Sequence, residues 1–216
     1  LTEDYFYAPA AGHGLPHDPL KAIVAPRPIG WISSVNAAGQ VNLAPYSFFN
    51  MICDVPPMLM FSSSGWKDSV RNISETGEFV ANLAVRELAE AMNLTASDCP
   101  STVDEMALAG LAAAASRVVK PPRVAAAPAA LECKCVEIRQ LHGLDGALAD
   151  NWMVIGQIVG VHINPAFLVD GRFDTAAAHP LGRCGYRGDY AEVTSLFEMI
   201  RPRWSAALGA PSPQHK

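Results

Sequence analysis

Polar and apolar residues alternate with a period of two through most of the first third of the chain. Residues 29–35 place Trp31 and Ser33 on one face of a strand and Ile32 and Ser34 on the other. Asn36-Ala37-Ala38-Gly39 then reads as a hairpin turn, with Gly39 free to take the left-handed position. Residues 40–43 return as a strand. Pro45 cannot donate to a ladder, so an edge or a bulge is expected there. Residues 46–53 form a second β-rich run, 54–57 a turn, and 58–62 a buried strand. Helical spacing of Val70, Ile73 and Ser74 predicts a helix that begins over 63–66, with Ser64 as N-cap and Gly77 as C-cap. Residues 78–83 alternate again.

Beyond this point the pattern loosens. Residues 86–92 read as a short helix by propensity. The Ser101–Asp104 and Thr102–Glu105 spacings are capping-box patterns ahead of a helix that runs to Leu108. Residues 109–116 are alanine-rich and ambiguous, and Lys120-Pro121-Pro122-Arg123 is a firm break. Residues 131–138 alternate, 141–151 read as a loop, and 152–163 form a long strand. Gly156 and Gly160 inside that strand mark bends or bulges in a curved sheet. Strands outnumber helices without regular strand–helix alternation. The pattern therefore predicts a mostly β fold, a curved antiparallel barrel with peripheral helices. One domain spanning 1–216 is expected, with 1–20 as an N-terminal arm and 203–216 as a peripheral tail.

Composition narrows the function. Half the residues are apolar, 17% are charged and the formal charge is −5. That is neither a disordered chain nor a nucleic-acid footprint. So low a charge fraction suggests a further buried surface, such as a subunit interface. No apolar run reaches the roughly 18 residues of a membrane helix, and the acidic, aromatic start is unlike a signal peptide. Five scattered cysteines suit a reducing compartment, so a cytoplasmic location is expected.

Two constellations carry chemistry. Ser62, Ser63, Ser64 and Lys67 lie at a strand-to-helix junction, where hydroxyls, an ammonium and helix-end N–H groups can cradle a phosphate. The same residues also suit a capped surface helix. Tyr46, Phe48 and Asn50 share one face and Ser47 and Phe49 the other. That pattern can shelve a planar ring or simply fill a core. There is no P-loop, no dinucleotide glycine fingerprint and no nucleophile elbow. Cys133 and Cys135 lack a second pair at metal-ligand spacing.

The order of motifs resembles the long form of the flavin-reductase-like family with an FMN-binding split barrel, which includes flavoredoxins and reductase components of two-component monooxygenases. The resemblance rests on Arg27-Pro28-Ile29, the segment Asn42 to Asn50, Pro56-Pro57 ahead of an apolar strand ending Phe61-Ser62, and Lys67-Asp68-Ser69 with Asn72-Ile73. Thr76 to Val80 with Asn82, Leu131-Glu132-Cys133, Asp170-Gly171-Arg172 and Pro180-Leu181-Gly182-Arg183 continue it. It covers about residues 20–195.

This resemblance implies a Greek-key, antiparallel split barrel and a homodimer with one FMN per subunit near the interface. It places Ser47, Phe48 and Phe49 beside the isoalloxazine ring, and Ser62, Ser63 and Lys67 at the phosphate. Arg27, Ser33, Asn42, Pro45, Tyr46 and Asp68 are secondary members of the set, Asp68 either touching the cofactor, orienting Lys67 or capping the helix. The implied reaction is hydride transfer from NAD(P)H to FMN, without a catalytic acid, the reduced flavin then serving a partner oxygenase or other acceptor. An FMN-binding electron carrier reduced by another protein is the alternative. His162 can face the flavin or serve the structure. Arg172, Arg183 and Arg187 can meet a nicotinamide phosphate or FMN, or make local ion pairs. Gly30 stands where the family often has alanine, a difference expected to matter little.

Overall fold

In the computed structural model the described residues are 4–205 and 210–212. The first three residues of the expected arm and most of the expected tail beyond 203 lie outside them. The arm carries a short helix α1 (Leu20–Ile23) and leads into β1 (Arg27–Pro28). Then come β2 (Gly30–Val35), β3 (Val41–Tyr46), β4 (Phe49–Asp54), β5 (Pro57–Ser64), α2 (Asp68–Thr76) and β6 (Glu78–Leu83). A 3-10 turn (Arg86–Leu88) runs into α3 (Ala89–Leu94), followed by α4 (Glu105–Leu108) and the short pair β7 (Ala113–Ala114) and β8 (Arg123–Val124). The long hairpin β9 (Ala129–His142) and β10 (Leu148–Ile163) follows. The minor pair β11 (Leu168–Val169) and β12 (Arg172–Phe173) precedes α5 (Thr175–Ala178), and β13 (Leu181–Arg183) pairs with β14 (Tyr190–Glu192).

Seven strands form one antiparallel sheet in the order β3-β2-β6-β9-β10-β5-β4. It curls until its two ends approach, closing a split barrel. At the closure the Ser62 N–H donates to the Phe48 carbonyl at 2.8 Å, and the Tyr46 and Phe61 rings lie 4.6 Å apart. Inside sit Ile32, Leu59, Phe61, Val70, Ile73, Phe79 and Val154. Val70 and Ile73 are the apolar stripe of α2, one turn apart, which docks this helix on the barrel. A second cluster around Trp31, Leu43, Met92 and Met106 packs α3 and α4 on the outside of β2 and β3.

The glycines of β10 behave as their position demands. Register shifts fall at Ile155/Gly156 and Ile158/Gly160. A Cβ on Gly156 would also come within 2.4 Å of the Phe79 ring, so the bend lets an aromatic core residue lie across the strand. Pro45 sits on β3, the edge strand, as its missing N–H requires.

Four expectations change. β5 continues through Ser64, Gly65 turns the chain at φ +86°, and α2 begins only at Asp68 with Lys67 at the N-cap position. Ser64 is therefore a strand residue. The aromatic run is not one strand: it breaks at Ser47–Phe48, the corner where β3 gives way to β4. The expected loop over 141–151 is mostly strand, because β9 and β10 extend into it from both sides. Asp104 alone caps α4, its carboxylate accepting from Met106 and Ala107 N–H.

Candidate functional site

The corner at Ser47–Phe48, the end of β5 and the start of α2 converge where the barrel closes. Phe48 is 41% exposed, whereas Tyr46 is buried. The break between β3 and β4 explains the difference, since the corner turns Phe48 off the sheet. Phe49 is opposite Phe61 in the β4–β5 register, and its ring lies against Gly30, where a Cβ would come within 2.3 Å of it. The expectation that alanine could replace Gly30 with little effect is therefore corrected: the ring occupies the space a methyl group would need.

Behind the corner lies a buried polar network. The Tyr46 phenol shares hydrogen bonds with Ser69 and Ser63, and burial raises its pKa against the effect of those bonds. Asn42 donates through Nδ2 to Ser69 Oγ at 2.8 Å. Ser63 is fully buried and its hydroxyl donates to the Gly65 carbonyl at 2.9 Å, fixing the turn between β5 and α2. On the opposite face of β5, Asn151 Nδ2 reaches both Ser62 Oγ and Ser64 Oγ at 3.3 Å. Trp66 packs edge-on against Trp152 beside them, ring centroids 4.4 Å apart. The alternation of β5 thus sends Ser62 and Ser64 to one side and Ser63 to the other.

A cleft of about 400 Å³ opens beside this network, lined by Asn42, Pro45, Tyr46, Lys67, Asp68 and Glu105 and by the 95–99 loop. Lys67 is exposed and has no protein partner among the described residues. Asp68 pairs with Arg71 one turn along α2, not with Lys67. Among the described residues no ion pair joins Asp68 to Lys67.

Two members of the expected set lie elsewhere. Arg27 is only 9% exposed, and its guanidinium donates to the carbonyls of Lys21, Val24 and Cys184, at 2.5, 2.6 and 3.0 Å. It ties the arm to the β13 end of the chain. Ser33 is fully buried and donates to the Pro122 carbonyl. Asn82 spans the same region, donating to the Trp31 carbonyl at 3.0 Å and accepting from Val124 N–H at 2.8 Å. Both Ser33 and Asn82 hold the 122–124 segment on the barrel.

His162 meets the fully buried Glu132 carboxylate through Nε2, so it is a structural histidine. Arg183 lies over the Tyr190 ring at 4.6 Å and donates to the Asp189 carbonyl at 3.2 Å, a local post. Burial pushes the Cys133 thiol far up. Among the described residues no group of three or more His, Cys, Asp or Glu side chains is arranged to hold a metal ion.

Sequence reasoning missed Glu105, Ser69 and the 95–99 loop. Glu105 accepts from Leu43 N–H at 3.1 Å, covering the open edge of β3, and burial raises its pKa. It comes from a helix more than sixty positions along the chain, and no local pattern links it to β3.

The described residues contain no helix long and apolar enough to cross a membrane. Against known proteins, residues 24–177 match the model of the flavin reductase like domain. A Deinococcus radiodurans protein is 36% identical over 195 residues, covering 84% of this chain and 82% of the relative. The structure is similar to nitrilotriacetate monooxygenase component B from Bacillus cereus, with a TM-score of 0.77, 32% identity, and coverage of 83% of this chain and 90% of that one. It is also similar to the 2-nitrobenzoate 2-nitroreductase NbaA of Pseudomonas fluorescens, with a TM-score of 0.75, 30% identity, and coverage of 87% and 91%. Domain match, fold and motif order agree: this chain belongs to the flavin-reductase-like, FMN-binding split-barrel family of oxidoreductases and flavin electron carriers.

Proposed function

We propose that this protein is an NAD(P)H:flavin oxidoreductase that binds FMN where the 47–48 corner, the end of β5 and the start of α2 meet. The observation that carries the reading is Lys67. It lines the cleft without a side-chain partner among the described residues, while the neighbouring Asp68 is engaged by Arg71. An unpaired cation at the start of a nine-residue helix is a natural receiver for a phosphate.

The residues present fit FMN chemically. Lys67, the first-turn N–H groups of α2 and the Ser62 hydroxyl suit the phosphate. Ser47, Phe48 and Phe49 offer the ring an aromatic shelf with hydrogen-bonding groups at its edge. Asn42, Pro45, Tyr46, Ser63 and Asp68 shape the wall behind. FMN supplies the hydride acceptor, and the chain's part is to bind it, orient it and keep its ring accessible at the exposed Phe48. The buried Tyr46–Ser69–Asn42 network keeps the shelf in place.

A homodimer is part of the proposal. Met51 and Ile52 on β4 and Val55 in the following turn are apolar and exposed, next to the corner, so a second copy there would cover apolar surface and close over the ring. A partner oxygenase as electron acceptor follows the similarity to component B of a monooxygenase. All five cysteines are free thiols, which suits the cytoplasm. The test is reduction of protein-bound FMN by NADH or NADPH with no other protein present. Oxidised flavin that persists with both donors would assign the carrier role instead.

A further inference from the structure

A cleft not used by this reading lies on the other side of α3, between that helix and the β13–β14 pair. It holds about 560 Å³ and is lined by Arg86, Glu90, Asn93, Tyr190 and Glu192 around an apolar base of Met92 and Leu181. Met92 and Leu181 are 2% and 6% exposed, so the base is part of the core and fixed. The Tyr190 side chain is held by the Arg183 guanidinium lying over its ring.

The polar rim is not electrically balanced. Arg86 Nε pairs with Glu192 at 3.5 Å, so those two charges offset each other. Glu90 and Asn93, three positions apart and therefore on one face of α3, both line the cleft, and neither side chain has a protein partner among the described residues. One uncompensated carboxylate, one free carboxamide, an anchored phenol ring and an apolar base form a donor and acceptor set. That set suits a flat ring with an attached cation and disfavours an anion.

We propose that this cleft is a second small-molecule site, separate from the flavin cleft, which takes an arylalkylamine in its protonated form. The ring sits on Met92 and Leu181 beside Tyr190, the ammonium meets Glu90, and Asn93 bonds a ring substituent.

Tyramine, with 4-hydroxybenzoate as the anionic counterpart, tests this by titration calorimetry on FMN-saturated protein, so that the flavin cleft is already filled. Tyramine should bind at one site per chain and 4-hydroxybenzoate should not. Glu90→Gln should weaken tyramine by about tenfold, the loss of one charge-assisted hydrogen bond. Ala191→Phe, which fills the cleft from β14, should abolish binding while flavin affinity is retained. Absence of tyramine binding at millimolar concentration, equal binding of the acid, or affinity unchanged in both variants would overturn the proposal. None of these outcomes depends on whether the flavin is reduced by a nicotinamide.

Discussion

The Phe49 ring rests on Gly30, so close that a Cβ on Gly30 would come within 2.3 Å of Phe49 Cδ2. One glycine on β2 therefore sets the height of an aromatic side chain on β4, across the closure of the barrel. Gly30→Ala should lift or tilt the Phe49 ring, with a stability loss of about 1–3 kcal/mol by overpacking and weaker FMN binding. Gly156→Ala makes a similar clash with Phe79 in the core at 2.4 Å. It should cost comparable stability yet leave the flavin affinity of the folded protein unchanged. Thermal unfolding and FMN titration of both variants separate the effects. Equal flavin affinities in the two would refute a special role for the Gly30–Phe49 contact.

Lys67→Ala should weaken FMN binding by about 1.5–3 kcal/mol, the range for a hydrogen bond to a charged group, with the melting temperature of the flavin-free protein unchanged. The side chain is exposed and has no ion-pair partner among the described residues, so its removal leaves no buried gap. Fluorescence titration of FMN would measure it. Riboflavin, which lacks the phosphate, should bind both forms equally, and a loss of riboflavin affinity as large as that of FMN would contradict a phosphate contact.

Glu132 carries a pH dependence. Its buried carboxylate accepts N–H groups of Arg117, Val118 and Val119 at 2.8, 2.6 and 2.9 Å and meets His162, clasping the 117–119 segment to β9. Burial alone would raise its pKa, but these hydrogen bonds outweigh it and hold the group at about 2 against an ordinary 4.5. The folded value is the lower one, so the stabilisation is complete above about 4.5 and is lost as pH falls toward 2. The shift corresponds to roughly 3 kcal/mol. Denaturant unfolding between pH 6 and pH 3 should show stability falling, and Glu132→Gln should be less stable at pH 6 and lose much of that slope. A parallel slope in the variant would mean that other carboxylates govern acid unfolding.

The sequence made much of this legible because much of it is local. Period-two alternation located β2, β6 and the first half of β9, and the glycines of β10 announced its register shifts. Gly77 at φ +71° ends α2 as a C-cap should. What could not be read was set by tertiary contact. Ser64 has the chemistry of an N-cap, yet pairing with Asn151 of β10 keeps it in the ladder and moves the helix start to Asp68. Arg27 and Ser33 are polar residues beside the right motifs, but their hydrogen-bond partners lie in the arm and in the 122–124 segment. Glu105 reaches β3 from a distant helix, and only the fold brings the two together.

The most direct test of the central claim is anaerobic stopped-flow absorbance of the FMN-loaded protein mixed with NADH and, separately, with NADPH. Rapid bleaching of the flavin band is expected with at least one donor and without any added protein. Flavin that stays bound and oxidised with both would contradict it and leave the protein as a carrier reduced by another.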